Sequence, residues 1–328
     1  MMWVPILIFI ISFFSTLLAM PWMIRYLKRV NLVVKDQNKK DKPLIPISGG
    51  LAVMGGIFLG LMTYICIRTF VFNDTNLLLY FFAAMTSILL ISVVGFIDDS
   101  IIKRNKDASA GLRQWQKPLL TLIAAIPLVA IKAGVTSLTI PLIGNVNFGL
   151  LYPLVIVPIA VIFLSNAVNL LAGFNGLEAG LGIIYTGMLG LYAFTHGNYV
   201  ASIIALTTFA ALLAFIKFNW TPAKVFPGDS LTYLLGAVLA CIAILGNMEK
   251  AVLIVSIPFL IEFILKATSR FKAQSFGYWK DGKICSLHGN KIYSLTHLFT
   301  RTGKFTEKQI VVFLMLIELI FALLIWII

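Results

Sequence analysis

Long apolar runs that recur along the whole chain most constrain what this sequence can fold into. Ten of them are predicted to be membrane-spanning helices, because a span needs about 17 to 25 predominantly apolar residues. They cover 3–24, 49–69, 77–97, 119–133, 149–166, 178–195, 199–217, 231–247, 250–267 and 308–328. With 60% hydrophobic and only 12% charged residues, the chain does not have the composition of a soluble protein. We expect an all-α polytopic membrane protein with about ten spans, forming a single domain over 1–328.

The basic residues predict how these helices are oriented. If both termini lie outside, all but three of the 26 Lys and Arg residues fall on inner loops or their flanks, the exceptions being Arg68, Lys132 and Lys250. This asymmetry is the positive-inside pattern of a multi-pass protein of the cell membrane. The net charge of +13 therefore indicates topology and affinity for anionic head groups or phosphates. A nucleic acid partner is not expected.

One polar stretch, NAVNLLAGFNGLEAG at 166–180, interrupts the apolar pattern between two predicted spans. Asn166 and Asn169 are three residues apart and share a helix face. Asn175 and the glycine after it are a turn signal. Unpaired amides are costly in hydrocarbon, so this stretch faces protein, water or a ligand. Its asparagines either hydrogen-bond neighbouring helices together or build a functional site.

Two adjacent acids, Asp98 and Asp99, end the third predicted span at the inner face of the membrane. A helix C-terminus already carries partial negative charge, so two carboxylates there require a cation or a basic partner. Pairing with Lys103 or Arg104 is the structural interpretation. A divalent metal site or an acid/base pair is the functional one.

Further charged residues reach the same face from other loops. Arg113 and Lys117 are four apart, and a helix beginning there places both cations on one face, suited to phosphate. Asp229 precedes another span, where taken alone it is typical of a helix N-cap. The acids and Asn169 together provide oxygen ligands of the kind that Mg²⁺ takes.

Several remaining polar segments carry weaker predictions. The outer segment 134–148 alternates and contains turn signals, which predicts a short hairpin. His288 and His297 lie in the long basic loop 269–306, where a histidine is usually a polar surface residue. Glu262 and Glu318 fall within spans, so each is expected to make a hydrogen bond inside the bundle.

Three motifs in order, GFIDD at 95–99, NAVN within the polar stretch and FPGDS at 226–230, together with the ten-span layout, resemble the polyprenyl-phosphate N-acetylhexosamine-1-phosphate transferase family. The form NGLEAG is most similar to its archaeal and eukaryotic branch. The resemblance covers nearly the whole chain. It implies an active site on the cytoplasmic face, with Asp98 and Asp99 as its acidic pair. Asn169 and Asp229 match the family's Mg²⁺ ligands, with Mn²⁺ as an alternative ion, and Asp229 joins the catalytic acids.

The resemblance also implies which residues meet the substrate. Lys117 matches the lysine that meets phosphate, and Asn175 and Phe226 match positions that hold the uracil, the latter by stacking. The family's basic motif in the last inner loop contains a histidine. Here SRFKAQSFG offers Arg270 and Lys272 at the right spacing, with no histidine between them.

The implied reaction transfers GlcNAc-1-phosphate from UDP-GlcNAc to a polyprenyl (dolichyl) phosphate in the membrane, releasing UMP. Ile47 stands where related chains often have an acidic residue, so the sugar contacts of that acidic residue are not expected here. A related transfer from UDP-MurNAc-pentapeptide, or another UDP-HexNAc, to undecaprenyl phosphate is the nearest alternative. A transporter with a site at mid-membrane depth is the alternative from another class. A homodimer is one assembly that we consider.

Overall fold

The computed structural model describes residues 3–102, 111–140 and 144–327. Lys103 and Arg104, the basic residues considered as partners for the acidic pair, lie outside the described residues. The chain is mostly helical, with thirteen α-helices in the described part. In chain order they are α1 (Trp3–Arg29), α2 (Gly50–Cys66), α3 (Leu78–Ile102), α4 (Gln116–Thr121), α5 (Ile126–Ala130), α6 (Val157–Leu170), α7 (Leu177–Thr195), α8 (Tyr199–Asn219), α9 (Asp229–Gly246), α10 (Glu249–Val255), α11 (Ile257–Thr268), α12 (His297–Thr300) and α13 (Glu307–Leu324).

Short turns of other helical types extend or join several of these helices. Five-residue π-helical turns follow α2 at Ile67–Val71 and precede α6 at Tyr152–Ile156. A 3₁₀ turn at Leu122–Ala125 joins α4 to α5, and another at Ile325–Ile327 follows α13.

Every predicted span corresponds to a helix or to a pair of successive helices. Within the described residues, eight helices are long and apolar enough to cross a membrane, judged by length and composition. Helices α10 and α11 meet this test together, but they are bent by 57° at their junction and make a ninth only if counted as one span. The segment predicted at 119–133 is the shorter apolar helix Gln116–Ala130. The protein is therefore a polytopic, mostly helical membrane protein.

Three antiparallel hairpins depart from the all-α expectation. They pair β1 (Val33–Lys35) with β2 (Leu44–Pro46), β3 (Ser137–Ile140) with β4 (Gly144–Asn147), and β5 (Gly277–Lys280) with β6 (Lys283–Ser286). The hairpin predicted for 134–148 is confirmed by β3 and β4. The other two were not predicted, because their strands lie in loops dominated by basic residues and lack the alternation seen at 134–148.

Helix α9 is the most enclosed span, since its side chains are buried along almost its whole length. Two glycines let its neighbours approach so closely. A Cβ at Gly236 would collide with the backbone of α6 at Leu164 and Ser165. A Cβ at Gly95 of α3 would collide with the backbone at the start of α9. Close backbone contact of this kind is how membrane helices gain packing without large side chains.

The two acids predicted within spans behave differently. Glu262 of α11 accepts a hydrogen bond from the backbone N–H of Leu295 at 2.7 Å, which confirms the expected bond inside the bundle. Glu318 of α13 is also buried, but neither of its carboxylate oxygens has a hydrogen-bond partner among the residues that the structure describes. The same prediction is therefore wrong for Glu318.

Candidate active site

A cavity of about 520 Å³ opens where the ends of several helices and loops meet. Its size lies within the range usual for small-molecule sites. Five of the predicted site residues line it: Lys117, Asn169, Asn175, Phe226 and Asp229. Asn166 and Glu178 of the polar stretch line it as well, so that stretch faces a cavity in addition to joining helices.

Four of the predicted residues form what we call the charged cluster: Asp98, Lys117, Asn169 and Asp229. The Lys117 ammonium lies 2.8 Å from an Asp98 carboxylate oxygen and 3.0 Å from an Asp229 oxygen. One cation from α4 thus joins the last turns of α3 to the first turn of α9. The amide oxygen of Asn169 accepts a hydrogen bond from the Thr232 hydroxyl at 2.9 Å, which ties α6 to the first turn of α9.

Asp98 is fully buried and does not line the cavity. Besides Lys117, it accepts hydrogen bonds from the backbone N–H of Leu112 at 2.6 Å and from the Tyr233 hydroxyl at 3.0 Å. Its carboxylate is therefore occupied by protein donors. In this arrangement Asp98 acts on the cavity through Lys117, the residue it holds.

Asp99, also fully buried, holds the start of α9 in place. Its carboxylate accepts the backbone N–H groups of Asp229 at 2.8 Å and Ser230 at 3.2 Å, and the Ser48 hydroxyl at 2.6 Å. Free N–H groups at a helix start carry partial positive charge, which favours a carboxylate there. The N-cap interpretation of Asp229 is thus wrong. The N-cap position is Gly228, at φ +70°, and the capping carboxylate comes from α3.

The FPGDS segment is tied to the chain just before α2. The Phe226 N–H donates to the Pro46 carbonyl at 2.7 Å, and the Phe226 carbonyl accepts from the Gly49 N–H at 2.9 Å. These bonds place the Phe226 ring on the cavity wall, beside Ile47, which also lines it. The end of the first loop therefore positions the FPGDS segment, although the two lie about 180 residues apart in the sequence.

The turn between α6 and α7 presents Asn175 to the cavity. Gly173 and Gly176, on either side of it, have φ values of +113° and +88°, conformations that favour glycine. Glu178 closes the turn, because its carboxylate accepts the Gly173 N–H at 2.8 Å. The predicted turn at Asn175 is confirmed.

A second group of polar residues, which we call the amide cluster, consists of Asp36, Asn38, Asn175 and Glu307. The Asn175 side-chain nitrogen donates to Asp36 at 3.0 Å, and the Asn175 backbone N–H donates to Glu307 at 3.0 Å. The Asn38 side-chain nitrogen donates to the Gly173 carbonyl at 2.7 Å, and its oxygen accepts the Gly277 N–H at 3.1 Å. The amide cluster thus joins the first loop, the α6–α7 turn and the segment between α11 and α13.

The first turn of α13 anchors this cluster from behind. Glu307 is buried, and its second carboxylate oxygen accepts the Thr221 hydroxyl at 3.0 Å and pairs with the Lys39 ammonium. Because a buried carboxylate is stable only when its oxygens are satisfied, these contacts make the cluster rigid.

The predicted cations in the loop that follows α11 lie next to the cavity but not on its wall. Arg270 and Lys272 are exposed and do not line the cavity, so their contact with substrate stays a prediction. Phe271 between them does line it, as does the buried Lys266 of α11. The Lys266 ammonium donates to the Ala273 carbonyl at 2.7 Å. Arg113 is exposed and does not line the cavity, and it lies before α4, which begins at Gln116.

His297 is buried, which contradicts its expected surface position. Its Nδ1 accepts the Tyr293 N–H at 3.1 Å, so its Nε2 carries the proton and donates to the Gln274 carbonyl at 2.9 Å. Burial lowers the pKa of His297 to about 4. It is therefore neutral at physiological pH and supports Gln274, which lines the cavity.

Sequence reasoning missed Asp36, Asn38, Lys266 and Glu307. The first loop is rich in basic residues, which favour the interpretation of a solvated inner loop, and Asp36 lies 139 positions from the asparagine that it contacts. No spacing rule connects residues at that separation. The one available signal was that Asp36 and Asn38 are polar residues flanked by a short β-branched run, Val33 and Val34.

The donor set of the charged cluster consists of oxygen atoms, which suits a hard cation such as Mg²⁺. Asp229 and Asn169 both line the cavity and both offer an oxygen atom. Among the described residues no group of three or more His, Cys, Asp or Glu could hold a metal ion. A site here therefore needs the asparagine amide, water or substrate phosphate to complete it. Lys117 at present neutralises the carboxylates that such an ion would meet.

Comparisons with known protein sequences show the family of the chain. The family model described as glycosyl transferase family 4 matches residues 80–247, slightly more than half of the chain, including all of the charged cluster. The chain is 37% identical over 323 residues to a protein of Saccharolobus solfataricus named as a candidate UDP-N-acetylglucosamine–dolichyl-phosphate N-acetylglucosaminephosphotransferase, covering 95% of this chain and 93% of the relative.

Two further relatives carry related names. A UDP-N-acetylglucosamine–dolichyl-phosphate N-acetylglucosaminephosphotransferase of Dictyostelium discoideum is 26% identical, covering 88% of this chain and 79% of the relative. A phospho-N-acetylmuramoyl-pentapeptide-transferase of Streptococcus mutans is 32% identical, covering 96% of each. With a family model over half of its length and relatives above 30% identity over nearly all of it, the chain belongs to glycosyl transferase family 4.

Proposed function

We propose that the protein transfers GlcNAc-1-phosphate from UDP-GlcNAc to a polyprenyl phosphate of the dolichyl type. The products are GlcNAc-diphospho-polyprenol and UMP, the first step of lipid-linked glycan assembly. The observation that carries this function is the set of Lys117, Asn169 and Asp229 on the cavity wall, in a chain 37% identical to a relative named for this reaction. Asp98 holds Lys117 from behind the wall.

In the proposed reaction an oxygen of the lipid phosphate attacks the β-phosphorus of UDP-GlcNAc. A new phosphorus–oxygen bond forms to the lipid phosphate. The bond from the β-phosphorus to the bridging oxygen breaks, and UMP leaves with that oxygen. Two anions must approach each other, so positioning and neutralisation of charge dominate the catalysis. Lys117 supplies one positive charge at the cavity wall.

The acids have different parts in this scheme. Asp229 is the catalytic acid that contacts substrate, since it lines the cavity. Asp98 is a positioning residue that holds Lys117, and Asp99 is one that holds the start of α9 and therefore Asp229. We do not assign proton transfer to either buried acid, because their oxygens are occupied by protein donors.

Asp229 and Asn169 are the proposed ligands of Mg²⁺, with Mn²⁺ as an alternative. When bound, the ion supplies positive charge that orients the diphosphate and stabilises the charge developing on it. Phe226 is proposed to stack on the uracil and Asn175 to hydrogen-bond it, since both line the same cavity. Arg270 and Lys272 remain proposed contacts of the diphosphate.

The orientation is also a proposal. The distribution of basic residues supports both termini outside and the active site facing the cytoplasm of a cell membrane. A homodimer is a compatible assembly.

The proposed function is tested by transfer of labelled sugar phosphate from UDP-GlcNAc to dolichyl phosphate by the purified protein. We expect product with Mg²⁺, none with EDTA, and a loss of about 100-fold or more in Asp229→Ala. Asp41→Ala, an exposed acid of the first loop, is the matched control. Absence of product from wild-type protein under all metal conditions contradicts the proposal.

One related substrate pair deserves the same assay. The 32% identity to a phospho-N-acetylmuramoyl-pentapeptide-transferase favours UDP-MurNAc-pentapeptide and undecaprenyl phosphate as the second candidate. Product from that pair alone would replace the first assignment. Membership in a transferase family leaves the transporter alternative without support.

Isotope exchange distinguishes direct attack by the lipid phosphate from a mechanism with a covalent enzyme intermediate. In direct attack, labelled UMP exchanges into UDP-GlcNAc only when the lipid product is present. Exchange without any lipid would show that the enzyme itself carries the sugar phosphate.

A further inference from the structure

The side-chain amide of Asn175 is fixed in one of its two orientations. Its nitrogen lies 3.0 Å from a carboxylate oxygen of Asp36, and both residues are buried, at 2% and 3% exposure. A carboxylate only accepts hydrogen bonds, so the amide must present its NH₂ group to Asp36. The opposite orientation would bring two acceptors together in a buried place, which is unfavourable.

Asp36 itself has no freedom to turn away. Its other carboxylate oxygen accepts the Asn38 backbone N–H at 3.1 Å. Asn38 in turn holds the Gly173 carbonyl and the Gly277 N–H, and Glu307 holds the Asn175 backbone. The direction of the Asn175 amide is therefore determined by residues from three separate segments.

This constraint leaves a defined pair of groups for a ligand. Asn175 lines the cavity, and one of its two amide hydrogens is taken by Asp36. Its oxygen accepts no hydrogen bond from the described residues. The amide thus offers the cavity one acceptor and one remaining donor, in a fixed order.

Uracil and cytosine differ in the order of donor and acceptor that they present along this edge. Uracil has a donor at N3–H next to an acceptor at O4. Cytosine has an acceptor at N3 next to a donor at its N4 amino group. An amide of fixed direction matches one of these edges, whereas an amide that can rotate by half a turn matches either.

We propose that Asp36 is a positioning residue that makes the site selective for uracil over cytosine, because it prevents the Asn175 amide from reversing. The Asn175 oxygen then accepts from N3–H, and the free amide hydrogen donates to O4. This inference rests on the proposed function, since it takes a uridine diphosphate sugar as the donor substrate.

The test compares kcat/KM for UDP-GlcNAc and CDP-GlcNAc in wild-type protein and in Asp36→Asn. The one oxygen of an asparagine at this position stays with the Asn38 N–H, so its NH₂ group faces Asn175 and favours the reversed Asn175 amide. We expect the UDP/CDP ratio to fall by about tenfold or more, the change that one mispaired hydrogen bond produces. Asp41→Asn makes the same chemical change at an exposed position in the same loop, and it leaves the ratio unchanged.

An unchanged ratio in folded Asp36→Asn protein overturns the role of Asp36. If that variant does not fold, inhibition of wild-type transfer by UMP, 3-methyl-UMP and CMP decides instead. Both analogues lack the N3 donor, and we expect each to inhibit about tenfold more weakly than UMP. Equal inhibition by all three overturns the inference. Transfer from UDP-GlcNAc by wild-type protein separates either failure from failure of the proposed function.

Discussion

The charged cluster and the amide cluster face the same cavity, yet they satisfy their carboxylates in different ways. In the charged cluster, Asp98 and Asp229 share one flexible ammonium, that of Lys117. In the amide cluster, Asp36 is satisfied by an amide nitrogen and a backbone N–H, which have fixed directions. The ammonium of the charged cluster lies on the cavity wall, whereas in the amide cluster the ammonium that pairs with Glu307, that of Lys39, does not line the cavity. The groups that the amide cluster presents to the cavity are instead held by hydrogen-bond direction.

This difference corresponds to two tasks. A lysine side chain has three rotatable donors and can exchange a carboxylate for a phosphate. An amide held by buried partners cannot exchange them without leaving a polar group unsatisfied. We therefore expect changes in the charged cluster to act mainly on kcat, and changes in the amide cluster to act on selectivity or KM.

The largest effect is expected for Lys117→Met, which keeps the length of the side chain and removes its charge. The substitution removes the positive charge of Lys117 from the cavity wall. It also leaves Asp98 and Asp229 without their common partner. We expect kcat to fall by about 100-fold or more. The measurement is initial rate against UDP-GlcNAc concentration.

Lys132→Met is the control for this change, because Lys132 is an exposed lysine outside both clusters. If Lys117→Met raised KM and left kcat unchanged, Lys117 would serve substrate binding alone. The two clusters would then not differ in task.

An intermediate effect is expected for Asp99→Asn, which tests how the charged cluster is positioned. An asparagine keeps one acceptor oxygen for the start of α9 and turns an NH₂ group toward the remaining donors. We expect a loss of stability of about 2 kcal/mol, because charge-assisted hydrogen bonds to a buried carboxylate are lost.

Thermal unfolding of the purified protein measures this loss. Activity should fall as well, because Asp229 is the first residue of α9. The exposed Asp281→Asn is the matched control. A thermal midpoint equal to that of wild type would contradict the capping role of Asp99.

The smallest effect is expected for Glu307→Gln in the amide cluster. Glutamine keeps an oxygen for the Asn175 N–H but loses the charge that pairs with Lys39. We expect KM for UDP-GlcNAc to rise by about threefold with kcat nearly unchanged, as for a weakened binding contact. Lys308→Gln, at the exposed neighbouring position, is the control. A loss of kcat as large as that in Lys117→Met would remove the distinction between the clusters.

Much of this protein followed from its sequence. Apolar runs indicate helices wherever they are long, because each backbone polar group in a membrane must be satisfied within its own segment. The same physics marked Asp98, Asn169, Asn175 and Asp229, since polar residues beside apolar runs are costly without a purpose. Two of the three short hairpins escaped prediction because the basic loops that contain them lack the clear alternation and turn signals of 134–148.

What the sequence did not decide is which of these polar residues touch each other. Asp98 and Asp99 are adjacent and chemically identical, yet one holds Lys117 and the other caps α9. Only the packing of α3 against α9, made possible by Gly95, separates their tasks. The sequence by itself determined that a polar site exists at helix ends. The tertiary structure decided the partner of each carboxylate, because hydrogen bonds depend on positions and directions that only the folded backbone sets.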